Sequence, residues 1–151
     1  MKSTVIIAGF PGIGKSHLFK EKMKDKIILD SDSSMFSKLE DGEHNPDFPL
    51  NYIKHIKENI GVADIILVST HEQVRRLLEK EYILYNIVYP SIELKEEYID
   101  RYKNRNNTEE FISILDKMWD NWIRDIECEK FPYLYKLNQG EYLGDVINQM
   151  K

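Results

Sequence analysis

A glycine-rich loop near the start of the chain constrains its fold more than any other feature. The loop covers Gly9–Ser16, reads GFPGIGKS, and matches the pattern G-x-x-x-x-G-K-[ST] at every fixed position. An apolar, β-branched run precedes the loop, and a helical pattern follows from Lys15. Strand, loop and helix in this order are typical of a phosphate-binding loop (P-loop, or Walker A motif). The sequence therefore predicts an α/β nucleotide-binding domain.

Each residue type in this loop has a physical role in phosphate binding. Glycines let successive N–H groups converge on an anion without a β-carbon in the way, and the following helix points its positive end at the same anion. Lys15 can reach the β- and γ-phosphates of ATP, the Ser16 hydroxyl can bind Mg²⁺, and the backbone N–H of His17 can bond the α-phosphate. The predicted nucleotide-binding residues are Gly9, Pro11, Gly12, Ile13, Gly14, Lys15, Ser16 and His17.

Short β-branched runs alternate with longer helical patterns, which is typical of a parallel sheet covered by helices. Strands are predicted at Ser3–Gly9, Lys26–Asp30, Ala63–Ser69, Tyr82–Tyr89 and Tyr133–Leu137. Helices are predicted at Lys15–Met23, Leu50–Ile60, Glu72–Lys80, Ile92–Arg105, Glu109–Glu127 and Tyr142–Gln149. With 151 residues and no break in composition, residues 1–151 are expected to form a single three-layer α/β domain around a five-stranded parallel sheet.

The helical pattern is clearest over Glu109–Glu127. Apolar side chains recur there at spacings of three and four residues, which predicts a helix with its aromatic stripe against the core. Asn107 and Glu110 have the spacing of a capping box at the start of this helix.

Composition narrows the partners and the compartment. A net charge of -5 gives no general attraction for polyanions, so no extended nucleic-acid surface is expected. The chain has one cysteine, Cys128, which fits a reducing compartment, and no apolar run approaches the ~20 residues that cross a bilayer. The apolar stretch Val5–Phe10 is too short for the core of a signal peptide. We expect a cytoplasmic protein that does not bind membranes and is a monomer or weak homodimer.

Two aspartates follow the second predicted strand. Asp30 and Asp32 are two residues apart, so in an extended chain they share a face, at the end of the sheet where ligands bind. One carboxylate can hold the hydration shell of Mg²⁺ while the other takes a proton from an attacking hydroxyl. The alternative interpretation is a turn rich in Asp and Ser that caps the next segment.

Arginines in the second half of the chain suit a transferring phosphoryl group. Arg101 and Arg105 lie one helical turn apart, where a planar cation can spread over phosphate oxygens, although Glu97 also favours a solvated helix face. Arg75, with His71 just before it, follows the third predicted strand and is a candidate for binding the acceptor. The histidines and Cys128 have no spacing typical of a zinc site.

The P-loop together with Asp30-Ser31-Asp32 resembles the small P-loop kinases, which include shikimate kinase, gluconate kinase, zeta-toxin-like kinases and polynucleotide kinase. The resemblance implies that Asp30 assists Mg²⁺, that Asp32 binds the acceptor hydroxyl, and that Arg101 and Arg105 belong to a mobile lid. It also implies that the adenine lies near Asn138 or Gln139. Ser69-Thr70-His71 stands where shikimate kinase has three glycines, and the third strand ends without the Walker B carboxylate, because Asp64 is at its start.

These features together predict an ATP-dependent phosphotransferase with catalytic residues Lys15, Asp32, Arg101 and Arg105. ATP and Mg²⁺ are the expected ligands, and the acceptor is expected to be a nucleoside, a nucleotide or a small polar metabolite. One alternative is a kinase acting on the 5′-hydroxyl of a polynucleotide. The other alternative is a nucleotide-binding regulator with weak ATPase activity, which the missing Walker B acid favours.

Overall fold

The structure is a computed structural model that describes residues 3–15, 18, 25–31 and 34–150. Its sheet has five strands, all parallel, in the order β2-β3-β1-β4-β5. The strands are β1 (Val5–Gly9), β2 (Ile28–Asp30), β3 (Ile65–Val68), β4 (Asn86–Pro90) and β5 (Tyr133–Leu137). The predicted α/β class and the all-parallel sheet are therefore confirmed.

The three central strands carry the core. β3 and β4 are buried along their whole length, as is β1 from Ile6 onward. Strands that have helices on both faces read as continuous apolar runs, which explains why all three are rich in Ile, Val and Leu. β4 begins at Asn86 and not at the predicted Tyr82, because Tyr82 has a φ of 54° in the turn that follows the preceding helix.

Six α-helices lie within the described residues, and four of them are long enough to cover the sheet. They are α1 (Ser34–Ser37), α2 (Leu50–Asn59), α3 (Glu72–Lys80), α4 (Lys95–Asn104), α5 (Glu109–Glu127) and α6 (Leu143–Val146). A short 3-10 turn, Ile92–Leu94, replaces the first turn of the predicted helix Ile92–Arg105. Another, Ile147–Gln149, replaces the end of the predicted helix Tyr142–Gln149. The predicted helix Lys15–Met23 lies largely outside the described residues.

Helix α5 has its aromatic stripe against the sheet, as predicted. Trp119 is fully buried, its ring meets Phe10 edge-on at 5.4 Å, and its indole N–H donates to the carbonyl of Ile92 at 2.8 Å. The predicted cap is wrong by one residue, because the Thr108 side chain, not that of Asn107, accepts a hydrogen bond from Phe111 N at 3.1 Å. Threonine is among the side chains that cap helix starts well. No helix in the described part of the chain combines the length and apolar character of a membrane span.

Candidate phosphate site and its neighbouring cavity

The glycine loop leaves β1 at Gly9 and turns sharply at two positions. The backbone conformation at both positions is one that only glycine adopts without strain. Gly12 has a φ of 91° and Gly14 a φ of 97°, both in the left-handed region. A β-carbon on Gly9 would lie 2.7 Å from the Ile13 side chain and 3.3 Å from that of Lys15, so the loop closes tightly on itself. Ser16, which ends the pattern, and His17 lie outside the described residues.

Three consecutive carbonyl groups on the back of the loop are bonded to later elements. The Tyr102 hydroxyl donates to Pro11 O at 2.7 Å, Arg101 donates to Gly12 O at 2.7 Å, and Leu143 N donates to Ile13 O at 2.9 Å. Helix α4 and the start of α6 therefore hold the loop from outside.

These outward carbonyls decide where the loop amides point. In a trans peptide the C=O and the N–H lie on opposite sides of the plane. The N–H groups of Gly12, Ile13 and Gly14 follow the three bonded carbonyls, so they point away from α4 and α6. Successive amides that converge on one point can form an anion-binding concavity, and residues 12–14 line a cavity.

This phosphate cavity has a volume of about 680 Å³. Besides residues 11–14 of the loop, the structure brings four predicted site residues together in its wall: Lys15, Asp30, Arg101 and Arg105. The first comes from the glycine loop, the second from the end of β2, and the two arginines from the end of α4. Four side chains from three separate parts of the sequence thus face one space.

Asp30 is exposed at the end of β2, and the residue after it, Ser31, is held by side chains of α2. Ser31 is buried, its hydroxyl lies 2.8 Å from His55 Nε2, and its carbonyl accepts a hydrogen bond from the Tyr52 hydroxyl. This anchoring fixes the end of the strand beside the cavity. Asp32, predicted to share a face with Asp30, lies outside the described residues.

Arg101 is held between two aromatic rings. Its guanidinium carbon lies 4.2 Å from the ring centre of Tyr98 and 4.5 Å from that of Tyr142, and Glu97 lies 3.6 Å away as predicted from their spacing. Burial raises the pKa of both Tyr98 and Tyr102 above the ordinary value. Tyr102 therefore keeps its proton at neutral pH and remains a donor to the loop.

His71 and Arg75, both predicted to bind the acceptor, line a second cavity of about 380 Å³ between α3 and α5. His71 is exposed and precedes α3 without a side-chain capping bond. Arg75 is buried and donates to Thr70 O at 2.9 Å, and its guanidinium lies 2.9 Å from Asp125 and 3.6 Å from Glu129. Its predicted role in acceptor binding remains a prediction, since its charge is balanced by two carboxylates here.

Metal binding at this site would depend on few ligands. Within the described ranges, no three His, Cys, Asp or Glu side chains come together as a metal cluster. Asp30 and Ser16 would be the protein ligands of a Mg²⁺ ion, which commonly keeps several waters. Asp64 cannot contribute, because it starts β3 at the opposite end and its carboxylate accepts from Ile27 N at 2.8 Å.

Sequence reasoning missed the tyrosines behind the loop. Tyr98 and Tyr102 lie within 3.4 Å of the position that a β-carbon on Gly12 would take, and Tyr142 is 3.1 Å from the equivalent position on Gly14. The one available signal was the spacing of Tyr98, Arg101 and Tyr102, which places all three on one face of α4. Asn138 and Gln139 are exposed, and Tyr142 lines the phosphate cavity instead of them.

Comparison with known proteins adds no family: the chain matches no protein-family model and has no significant similarity to any curated protein sequence.

Proposed function

We propose that the chain has the three-layer P-loop kinase fold and transfers the γ-phosphoryl group of ATP to a small acceptor. One observation carries the proposal: residues 12–14 of the glycine loop line one cavity with Lys15 and Asp30. Amides and a lysine provide a site for polyphosphate, and a carboxylate at its edge suits a hydrated magnesium ion. The lone Cys128, exposed and unpaired with any other cysteine, fits a cytoplasmic enzyme.

The loop and Lys15 hold the donor in this proposal. The amides and the ammonium group bond the phosphate oxygens, and Ser16 with Asp30 would hold Mg²⁺. When bound, that ion neutralises part of the charge on the β- and γ-phosphates. The adenine is expected near Tyr142, which is partly exposed in the wall of the phosphate cavity.

The transfer step forms one bond and breaks one. The acceptor hydroxyl oxygen bonds to the γ-phosphorus, the bond from this phosphorus to the β–γ bridging oxygen breaks, and ADP leaves. The hydroxyl proton passes to the carboxylate of Asp32. Arg105, exposed at the cavity wall, stabilises the charge on the transferring oxygens. Arg101 holds the glycine loop through Gly12 O and adds its positive charge to the same cavity.

A nucleotide-binding regulator is the second candidate, and the position of Asp64 favours it. No acidic side chain stands at the end of β3, where Ser69 follows Val68, so the described residues offer little to activate a nucleophile from that strand. A regulator of this kind would bind ATP with Mg²⁺ and hydrolyse the ATP slowly.

A transfer assay with ATP labelled at the γ-phosphate separates these functions. Nucleosides, nucleotides, small sugars and 5′-hydroxyl oligonucleotides serve as acceptors, and Lys15→Ala, checked for folding by circular dichroism, serves as the inactive control. The proposal predicts label in a small-molecule product with the wild type only. Label in the oligonucleotide alone would indicate a polynucleotide kinase, and donor binding without any labelled product would favour the regulator.

A further inference from the structure

The second cavity, defined by α3, α5 and the end of β3, differs in chemistry from the phosphate cavity. One wall is formed by apolar side chains of α5: Phe111, Ile114, Leu115, Trp122 and Ile126. Ile114 is 53% exposed although it is a large apolar residue in the middle of a helix. We refer to this space as the apolar cavity. Small-molecule sites are usually concave and apolar with a few polar groups, and commonly exceed about 300 Å³.

The apolar cavity adjoins the phosphate cavity. The two spaces share four wall residues: Pro11, Lys15, Ser69 and Phe111. The sheet order places β3 between β2 and β1, so Ser69 lies between the end of β2, with Asp30, and the glycine loop that follows β1. A molecule in the apolar cavity can therefore direct one group past Ser69 toward Lys15 and the phosphates.

The aromatic residues define the long axis of the cavity. Phe111 and Trp122 are eleven positions apart on one face of α5, which is about 16 Å along the helix. Phe111 belongs to the end shared with the phosphate cavity, and Trp122 to the far end. A flat ring can pack against the aromatic side chains of this wall, because aromatic side chains stack on any π-face, with the rest of the ligand directed toward the phosphate cavity.

Charge in the wall favours a neutral ligand. The ionised side chains of the described wall residues are two cations, Lys15 and Arg75, and two carboxylates, Glu72 and Asp125. Arg75 is already paired with Asp125 and with Glu129. Among these wall residues, the far end of the cavity therefore has no cation available to bind a phosphate or a carboxylate of a ligand. An anionic acceptor would also be repelled by Glu72, the other carboxylate in this wall.

We propose that the apolar cavity binds the phosphoryl acceptor, and that this acceptor is an uncharged, ring-bearing alcohol of nucleoside size. The inference rests on the proposed function, and it selects the neutral nucleoside class from the acceptors that the sequence leaves open. The ring lies against the apolar wall that includes Ile114, and the hydroxyl points to Lys15.

Calorimetric titration with three related probes tests this inference. Thymidine carries an aromatic base and hydroxyls without charge, thymidine 5′-monophosphate adds charge, and 2-deoxyribose lacks the base. Each probe is titrated with and without a saturating non-hydrolysable ATP analogue and Mg²⁺, which keeps the donor site filled. We expect thymidine to bind at least tenfold more tightly than either of the other two. No binding of thymidine, or tighter binding of its monophosphate, would overturn the inference.

A pair of variants on adjacent positions locates the binding. Ile114→Glu places a carboxylate in the apolar wall at a residue exposed enough to leave the fold intact. Ser113→Glu adds the same charge next to it, outside both the apolar and the phosphate cavity. Thymidine affinity should fall at least tenfold in the first variant and less than twofold in the second. An equal fall in both would contradict the assignment.

Titration of Mg·ATP into the same variants separates this inference from the proposed function. ATP binding that is unchanged in Ile114→Glu, together with lost thymidine binding, supports both. Wild type that binds ATP but not thymidine overturns the acceptor site alone. Wild type that binds thymidine but no nucleotide overturns the kinase and leaves the apolar cavity as a ligand site.

Discussion

The guanidinium of Arg101 donates a hydrogen bond of 2.7 Å to the carbonyl oxygen of Gly12, which lies 89 positions earlier in the chain. This bond joins the end of α4 to the glycine loop and helps to turn the following amide into the phosphate cavity. Arg101 and Arg105 are one helical turn apart, yet only Arg101 makes this contact with the loop. The two arginines therefore have separable roles.

Removing each guanidinium should distinguish the two roles. Arg101→Met keeps the aliphatic stem but removes a charge-assisted hydrogen bond, so we expect a loss of about 1.5–3 kcal/mol in the free energy of unfolding. In a chain of this size that corresponds to about 5–9 °C in the melting temperature. Arg105→Met should leave the melting temperature unchanged and lower turnover. Calorimetry and the transfer assay measure both, and equal melting temperatures in the two variants would contradict the assignment.

Two glycines with similar backbone angles offer a matched pair. Gly42 has a φ of 86° and no atom within 4 Å of the position that a β-carbon would take, whereas Gly12 has a φ of 91° with tyrosine ring atoms at 3.1 and 3.2 Å. Gly42→Ala should cost only the backbone strain, about 1–2 kcal/mol. Gly12→Ala should cost about 1–3 kcal/mol more through overpacking, with loss of nucleotide binding. Chemical denaturation gives the free energy of unfolding of both variants. Equal decreases would show that the tyrosine rings beside Gly12 move aside to make room for the added methyl group.

The fold could be predicted well because local signals and tertiary structure agree. The bounds of β5, α3 and α5 match the prediction to the residue, since each has a strong period and clear ends. The start of β4 could not be predicted, because residues 82–85 are aromatic or aliphatic like a strand but form the turn and irregular segment after α3. A left-handed residue other than glycine gives no signal in the sequence.

The candidate site was only partly predictable for a similar reason. The glycine loop and Asp30 are sequence patterns, so their place at one cavity could be expected. The pairing of Arg75 with Asp125 joins residues 50 positions apart, and no local pattern shows it. The apolar cavity is also a tertiary feature, because Trp122 and Ile114 belong to a stripe that otherwise packs in the core.

The two aspartates after β2 should respond differently to amide substitution. Asp32→Asn keeps the size of the side chain but removes the proposed proton acceptor, so turnover should fall by about 10²–10⁴-fold while nucleotide affinity changes little. The loose transition state of phosphoryl transfer makes the lower end the expected value. Asp30→Asn should lose activity that additional Mg²⁺ partly restores. Equal activity of Asp32→Asn and wild type would indicate that the pair is only a turn.

Buried tyrosines predict a loss of stability at alkaline pH. Burial and a hydrogen bond to Glu127 raise the pKa of Tyr89 to about 12, and burial raises the pKa of Tyr85 as well. The folded state therefore holds these protons more tightly than the unfolded chain, whose tyrosines titrate near about 10. Their stabilisation is complete below about pH 10 and declines as the pH rises toward the folded pKa. Urea unfolding across this pH range should show a smaller decline in the free energy of unfolding for Tyr89→Phe than for wild type. Identical declines would contradict the role of Tyr89.

Nucleotide binding is the central claim, and titration of Mg·ATP into the wild type, Lys15→Ala and Lys130→Ala tests it most directly. Lys15 lies in the wall of the phosphate cavity, whereas Lys130 is an exposed lysine far along the chain. We expect saturable binding to the wild type and to Lys130→Ala, and affinity lowered at least about tenfold in Lys15→Ala, because one charge-assisted hydrogen bond contributes about 1.5–3 kcal/mol. Folded wild-type protein that binds neither ATP nor GTP would contradict the account.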